Sequence, residues 1–185
     1  MLDHVILVDT HDNQIGTEEK LTAHQKGLLH RAFSIFIFNH EGKMLIHQRA
    51  FSKYHSGGLW TNACCSHPRP GESLEDSTHR RLREELGFDC SLQKMFHFTY
   101  KVNLANDGLF EHEFDHVFFG SFDGIINPNP DEIATVAWVT LEDLTADIKL
   151  QPERYTYWFL ASFDKVLAYA QDYIQKARCL SQATI

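Results

Sequence analysis

The chain has 185 residues, 43% hydrophobic and 23% charged, which is ordinary globular usage and excludes disordered, collagen-like and coiled-coil architectures. That length makes one compact domain with a sizeable core. Seventeen Lys and Arg against 25 Asp and Glu leave a formal net charge of −8, so generic binding to nucleic acid or to anionic membranes is not expected, and an anionic ligand must meet a local basic cluster.

His4 to Asp9 reads as a short strand, and Asp3, His4 and Asp9 deny this end the basic and continuous apolar segments of a signal peptide. A polar turn is expected from His11 to Gly16. The longest nearly apolar run, Ala32 to Phe38, falls well short of the roughly 20 residues that cross a bilayer, so the protein reads as cytosolic without a transmembrane helix. Arg31 to Phe38 is rich in β-branched and aromatic residues, and the turn Asn39 to Gly42 leads into a second strand, Lys43 to Arg49, as in a hairpin. A short apolar piece, Leu59 to Asn62, precedes a loop from Cys64 to Gly71 with two prolines, a kind of segment that often carries chemistry. Leu74, Thr78, Leu82 and Leu86 recur every fourth residue and predict a helix from about Ser73 to Leu86, closed by Gly87. Met95 to Leu104 and Phe110 to Phe122 flank the tight-turn signal Asn106-Asp107-Gly108 and should pair antiparallel. Ile133 to Thr140 reads as a strand, Leu141 to Ala146 as a short helix, and Glu153 to Arg178 as a long amphipathic helix. Strands on both sides of a central helix predict an α/β or α+β fold with a mixed sheet flanked by helices, in one domain whose core spans about 30 to 150.

Cysteines at 64, 65, 90 and 179 do not make a disulfide scaffold, and free thiols are expected. The twelve histidines are the compositional outlier and direct attention to metal spacing. The block Ser66-His67-Pro68-Arg69-Pro70-Gly71-Glu72, seven residues, and then Arg80 to Phe88 resembles the Nudix box, whose helix carries glutamates that hold a divalent cation against a diphosphate. Here Arg81 stands where hydrolases of that family place a metal-binding glutamate, which weakens a hydrolase reading. Arg81 and Glu85 lie one helical turn apart; they form an intrahelical ion pair, or else Glu85 takes magnesium while Arg81 takes phosphate.

The segments at 22 to 39 and 60 to 72, with Glu111-His112-Glu113, resemble the type I isopentenyl diphosphate isomerases, over roughly residues 1 to 160. That resemblance implies a Nudix-like fold and interconversion of isopentenyl and dimethylallyl diphosphate. It implies His24, His30, His67, Glu111 and Glu113 as ligands of one divalent metal (manganese, magnesium or zinc) and a second magnesium, at Glu85, bound with the diphosphate. Three imidazoles and two carboxylates are in themselves a donor set suited to such six-coordinate cations. Glu111 and Glu113, two apart on a predicted strand, leave the same sheet face, and His112 leaves the other. The same alternation lets only one of Cys64 and Cys65 face the pocket that His67 faces; that one is Cys65.

By the same resemblance Cys65, Glu113 and Tyr100 are the catalytic groups. Lys20, Arg49, Lys53 and Arg81 surround the diphosphate, and Trp158 meets the hydrocarbon, well away from those cations. Glu113 with Tyr100 is expected to protonate the terminal alkene carbon and Cys65 to remove a proton from the carbon beside the diphosphate-bearing methylene, with Trp158 stabilising positive charge in a dry cavity. The expected partner is a small isoprenoid diphosphate, bound by a monomer or weak dimer. A Nudix-type diphosphate hydrolase is the alternative, followed by a thiol- and metal-binding protein without catalysis.

Overall fold

The computed structural model describes residues 3–53, 55–104 and 108–182, leaving aside the side chains of residues 178 and 180–182. Among the described residues nine strands and four helices follow in chain order: β1 (His4–Val8), β2 (Gln14–Glu19), α1 (Lys20–Lys26), β3 (His30–Phe38), β4 (Met44–Arg49), β5 (Trp60–Thr61), β6 (Cys64–Ser66), α2 (Leu74–Leu86), β7 (Leu92–Leu104), β8 (Leu109–Ser121), β9 (Ile133–Val139), α3 (Leu141–Leu150) and α4 (Tyr157–Gln182). A single 3-10 turn, Pro152–Arg154, precedes α4. Among the described residues no helix is long and apolar enough to cross a membrane.

The sheet is organised around β3. One edge of β3 pairs with β8 in parallel along its whole length, from His30 opposite Glu113 to Phe38 opposite Ser121. The other edge is shared: Leu7 of β1 meets His30, β6 pairs antiparallel at Phe33 to Ile35, and Met44 of β4 meets Phe38. Beyond β8 lies β7, and beyond β4 lie β5 and β9, all antiparallel, so the sheet is mixed as expected. A strand buried on both faces need not alternate polar and apolar residues, which explains the continuous apolar run at Ala32 to Phe38. Its two faces serve different layers. Phe33, Ile35 and Ile37 pack with Leu82 and Leu86 of α2, whereas Phe36 and Phe38 pack with Phe159, Phe163 and Val166 of α4.

Most predicted elements are present, with shifted ends. The helix expected at about Ser73 to Leu86 is α2, capped by the Ser73 hydroxyl on Asp76 N and by Gly87 in the left-handed region. The short helix ending at Ala146 continues to Leu150, and the long helix begins at Tyr157 rather than Glu153, because the prolyl turn at 152–154 occupies the intervening chain. Leu104 and Leu109 close the expected β7–β8 pairing; Asn106 and Asp107, named as its turn, lie outside the described residues. Three local expectations are corrected. Residues 14–16, read as part of a turn, begin β2, in which no side chain is fully buried and which so gives no apolar alternation. The loop expected from Cys64 opens instead as β6, because its backbone is paired to β3. Helix α1 was not expected: seven residues are too few to show a helical period, and its start is capped by the Glu19 carboxylate on the amides of Leu21 and Thr22.

Gly87 holds the end of α2 tightly against a neighbouring loop. Its φ is +73°, and a Cβ there would lie 2.6 Å from the Asn127 carbonyl oxygen. Gly71, with φ of +82°, has nothing within 4 Å of that position. In urea unfolding Gly71→Ala should therefore cost only the left-handed penalty of about 1 to 2 kcal/mol, and Gly87→Ala clearly more. Equal losses would contradict this account of the α2 terminus.

Candidate active site

The strand registers bring the predicted residues to one end of the sheet. His30 faces Glu113 across the parallel pair, and Glu113 in turn faces Tyr100 on β7. Ser34 of β3 faces Cys65 on β6, and His67 follows β6 directly. His24 comes from α1, Arg81 and Glu85 from α2, and Trp158 from the first turn of α4. A cavity of about 190 Å³ results. Its walls include every predicted site residue except His30: Lys20, His24, Arg49, Lys53, Cys65, His67, Arg81, Glu85, Tyr100, Glu111, Glu113 and Trp158. His30 is completely buried behind them.

Four of the five predicted ligands form a tight group: donor atoms of His24, His30, His67 and Glu113 all lie within 4.8 Å of one another. Glu111 stands beside this group rather than in it, with Oε2 3.3 Å from His24 Nε2 and Oε1 3.5 Å from His55 Nε2. The outer nitrogens of two imidazoles are anchored. His24 Nδ1 donates to the Lys20 carbonyl at 2.7 Å and His30 Nδ1 to the Leu28 carbonyl at 2.8 Å, which turns their Nε2 lone pairs inward. His30 Nε2 and His67 Nε2 then approach to 3.2 Å, and both face Glu113 Oε1, at 3.6 and 2.8 Å. Such convergence of basic nitrogens and carboxylates on one point is relieved by a cation, so the residues present fit a divalent metal.

The electrostatics separate the two glutamates. Burial pushes Glu113 up, but the neighbouring His30 and His67 imidazoles outweigh it and hold the carboxyl well below the usual range. Burial and the neighbouring charge of Glu113 push Glu111 up. Burial pulls His67 down to about 3, despite its bond to Glu113, whereas at His24 the Glu111 carboxylate overcomes burial and raises the imidazole. His112 points elsewhere, to the Gly27 carbonyl, as the strand alternation requires.

On the acid side Tyr100 Oη donates to Glu113 Oε2 at 2.7 Å. Burial, then the Glu113 charge, keep the phenol protonated. From β6, across β3 from β8, Cys65 lines the cavity, while Cys64 points into the α2 layer with Phe33 and Leu82, as the alternation expected of a strand requires. Burial raises the Cys65 thiol far above its ordinary value. Among the basic residues, Arg81 is paired with Glu84 and Glu85, and Lys53 with Glu132. The intrahelical Arg81–Glu85 pair thus exists, and both partners also face the cavity. One expectation is corrected. Arg49 does not lie well away from the indole: its guanidinium sits 5.2 Å from the centre of the Trp158 ring. Both come to one end of the sheet because β5, next to β4, is bridged to the chain just ahead of α4, Trp60 to Tyr155.

Sequence reasoning missed several residues of this wall, among them His47, His55, Thr61, Arg69 and Glu132. Only the excess of histidine hinted at the first two. Thr61 and Arg69 lie inside the recognised segment 60 to 72, whereas His47, His55 and Glu132 fall in no motif; the pairing of β4 with β5 and β9 brings His47 beside Thr61 and the start of β9, next to Glu132, beside Arg49.

Residues 28–159 match the family model described as NUDIX domain. The chain is 53% identical to isopentenyl-diphosphate Delta-isomerase 2 of Aromatoleum aromaticum, over 91% of this chain and 88% of that one. It is 52% identical to isopentenyl-diphosphate Delta-isomerase of Serratia proteamaculans, over 86% and 89%. The chain belongs to the NUDIX family, among the isopentenyl-diphosphate Delta-isomerases. The fold itself recurs at lower identity. A Deinococcus radiodurans protein matches with a TM-score of 0.67 at 22% identity, covering 80% of this chain and 90% of that one, and a MutT protein of Methanosarcina mazei with 0.61 at 19%, covering 74% and 91%. For an isopentenyl-diphosphate Delta-isomerase the paired thiol and phenol–carboxylate walls are the features to explain, since the Nudix fold alone does not specify them.

His47 belongs to the wall of the cavity and illustrates how the buried histidines link folding to pH. Burial, and next the Arg49 charge, pull its imidazole down to about 3, and Nδ1 meets the Ala63 carbonyl at 3.1 Å. The folded form therefore carries neutral His47, while the unfolded chain protonates it near 6.5. The sign follows: between about 6.5 and 3 the unfolded state binds more protons, so stability falls as pH falls through that window. In chelator-treated protein, wild type should lose stability faster than His47→Gln below pH 6.5, by up to about 1.4 kcal/mol per pH unit. Parallel pH profiles would contradict a neutral buried His47.

Proposed function

We propose that this cavity interconverts isopentenyl and dimethylallyl diphosphate, with the hydrocarbon held between Cys65 on one wall and the Glu113–Tyr100 pair on the other. The supporting observation is that the thiol and the phenol–carboxylate pair reach one cavity from the two edges of β3, Cys65 on β6 and Glu113 on β8. An isolated alkene is a very weak base and its allylic hydrogen a very weak acid, so moving the double bond needs a proton donor and a proton acceptor positioned at different carbons in a site that excludes water. Diphosphate hydrolysis requires neither a cavity thiol nor the phenol, and Arg81 occupies the place of a metal-binding glutamate.

The diphosphate belongs at the basic end. Arg49 Nε and Arg81 Nε are buried and have no hydrogen-bond partner among the described residues, and buried donors of this kind are satisfied by an acceptor such as a phosphate oxygen. Lys20 and Lys53 add positive charge to the same wall, which is how a chain of net charge −8 attracts an anionic substrate. Glu85, at the same rim, is the residue to hold a magnesium ion that accompanies the diphosphate.

His24, His30, His67 and Glu113, with Glu111 as fifth ligand, are the residues to hold the resident metal, of which manganese, magnesium and zinc all suit the donors. Such a cation supplies positive charge that fixes the Glu113 carboxyl and lowers the cost of its negative charge. Tyr100 and Glu113 share one proton site and present it to the terminal carbon of the alkene. When that carbon gains the proton, positive charge develops at the branched carbon, where the indole of Trp158, which lines the same cavity, stabilises it. Cys65 takes the proton from the carbon beside the diphosphate-bearing methylene, and those electrons close the new double bond. This direction starts from an ionised thiol and a protonated acid pair. The reverse direction starts from the thiol, the form that burial favours. The four cysteines are unpaired, as a reducing cytosol keeps them.

Three outcomes test the reading. Metal-loaded protein incubated with isopentenyl diphosphate in heavy water should form dimethylallyl diphosphate carrying deuterium in the methyl group, read by NMR; release of inorganic phosphate instead would identify a hydrolase. In that assay Cys65→Ala should abolish turnover, a loss of about 1000-fold or more, whereas Cys64→Ala should cost only packing. Equal residual activities would remove the thiol from the mechanism. Replacing His30 with Ala should lower bound metal and turnover together, since a missing ligand opens the shell and frees Glu113. Full metal content with lost activity would refute the ligand assignment.

A further inference from the structure

The proposed reaction employs Cys65 and Trp158 but leaves unexplained the polar side chains buried between them. Thr61, Asn62 and Thr156 are completely excluded from solvent. Buried hydroxyls and amides are costly unless bonded, and here each bond has a determined direction. Asn62 Nδ2 donates to the carbonyls of Ile35 and Cys64, both at 3.0 Å, which uses both amide protons and leaves Oδ1 pointing the opposite way. That oxygen accepts from Thr61 Oγ1 at 3.0 Å and from the Cys65 thiol at 2.9 Å. The Thr61 hydroxyl accepts from Trp158 Nε1 at 3.0 Å and from Thr156 Oγ1 at 2.9 Å, so both of its lone pairs are taken and its one proton goes to Asn62. The other neighbour of the sulfur, Ser34 Oγ at 3.4 Å, spends its proton on Asp115 Oδ2 at 2.7 Å. The indole and the thiol thus hang from one buried chain of hydrogen bonds within the cavity wall.

We infer that Asn62 and Thr61 are positioning residues for the isomerisation. Asn62 Oδ1 accepts from the protonated Cys65, the resting thiol and the form left after the sulfur has taken a proton from the substrate, and so fixes the place of the sulfur on the wall. Thr61 ties the Trp158 ring to the same oxygen, which keeps the base and the cation-stabilising ring in fixed relation. Neither residue exchanges a proton with the substrate. Glu113 and Tyr100 bond to each other and to the histidines, outside this chain. The inference deepens the proposed isomerase reading and rests on it.

The experiment compares Asn62→Ala, Thr61→Val and Thr61→Ser in the metal-loaded enzyme with isopentenyl diphosphate in heavy water. It reads kcat, KM and the deuterium content of recovered substrate at its terminal carbon and at the methylene beside the diphosphate-bearing carbon. Misplacing a catalytic group by about 1 Å costs about 100-fold, so Asn62→Ala should lose that much in kcat with KM changed less than about 3-fold. Thr61→Val should lose about 10-fold or more, and Thr61→Ser, which keeps the hydroxyl, should recover most of it. Exchange at the methylene, the Cys65 side, should fall more than exchange at the terminal carbon, the Glu113 side. A loss of structure alone lowers both equally. Should Asn62→Ala not fold, the two Thr61 variants decide. Wild-type kcat in Asn62→Ala, equal impairment in Thr61→Val and Thr61→Ser, or equal loss of both exchanges would overturn the inference while leaving the isomerase reading intact. Absence of isomerisation by wild type would overturn both.

Discussion

The pairing of His30 with Glu113 across the parallel strands β3 and β8 is the constraint on which the site depends. It sets a buried imidazole and a buried carboxylate face to face at the one end of the sheet that α1 and β6 can also reach. His24 and His67 then close the group, with donor atoms within 4.8 Å of one another. A parallel register is rigidly specified when both faces of the strand are buried, because a slip by one residue exchanges the two layers of side chains. In β3 such a slip moves Phe33, Ile35 and Ile37 from α2 to α4 and takes His30 out of the ligand group.

Around that centre the cavity is divided by charge and polarity. His30, His67, Glu111 and Glu113 gather around β8 with His24 of α1, whereas Arg49 comes from the end of β4, Lys53 from the loop after it and Arg81 from α2. The thiol and the indole form the wall between them. Free energy is spent to keep this arrangement: several titratable groups are buried, Glu111 and Glu113 lie on one strand face, and two guanidinium nitrogens have no partner among the described residues. Proteins tolerate such conflicts at sites where a ligand or a reaction resolves them. A compensating order is visible within the wall, where every hydrogen bond from Trp158 to Cys65 is made.

Much of this was legible in the chain. Period-two alternation placed Cys65 and not Cys64 toward His67, and Glu111 with Glu113 on a face opposite His112, because strands enforce that alternation wherever they are paired. The i, i+4 stripe of α2 and its glycine cap were equally plain. What was hidden depends on tertiary pairing. β2 is too polar and α1 too short to show a period, and the contact of Arg49 with Trp158 joins residues more than a hundred positions apart through the packing of β4, β5 and the start of α4. His55 and Glu132 lie in loops and reach the cavity with no local signal. Asn62 sits beside two recognised cysteines, yet its importance comes from two backbone carbonyls, one of them on β3, that no spacing rule reveals.

X-ray absorption of the zinc-loaded protein is the most direct test of the central claim, that the histidines and glutamates hold the metal while the Cys65 sulfur remains outside its shell. The account predicts imidazole nitrogens at about 2.0 to 2.1 Å with three-histidine scattering, oxygen donors at similar distance, and no sulfur. The shell should be unchanged in Cys65→Ala. A scatterer at about 2.3 Å that disappears in Cys65→Ala would show a zinc–thiolate bond and contradict the account, because a thiolate bound to the metal is not available to take a proton from the substrate.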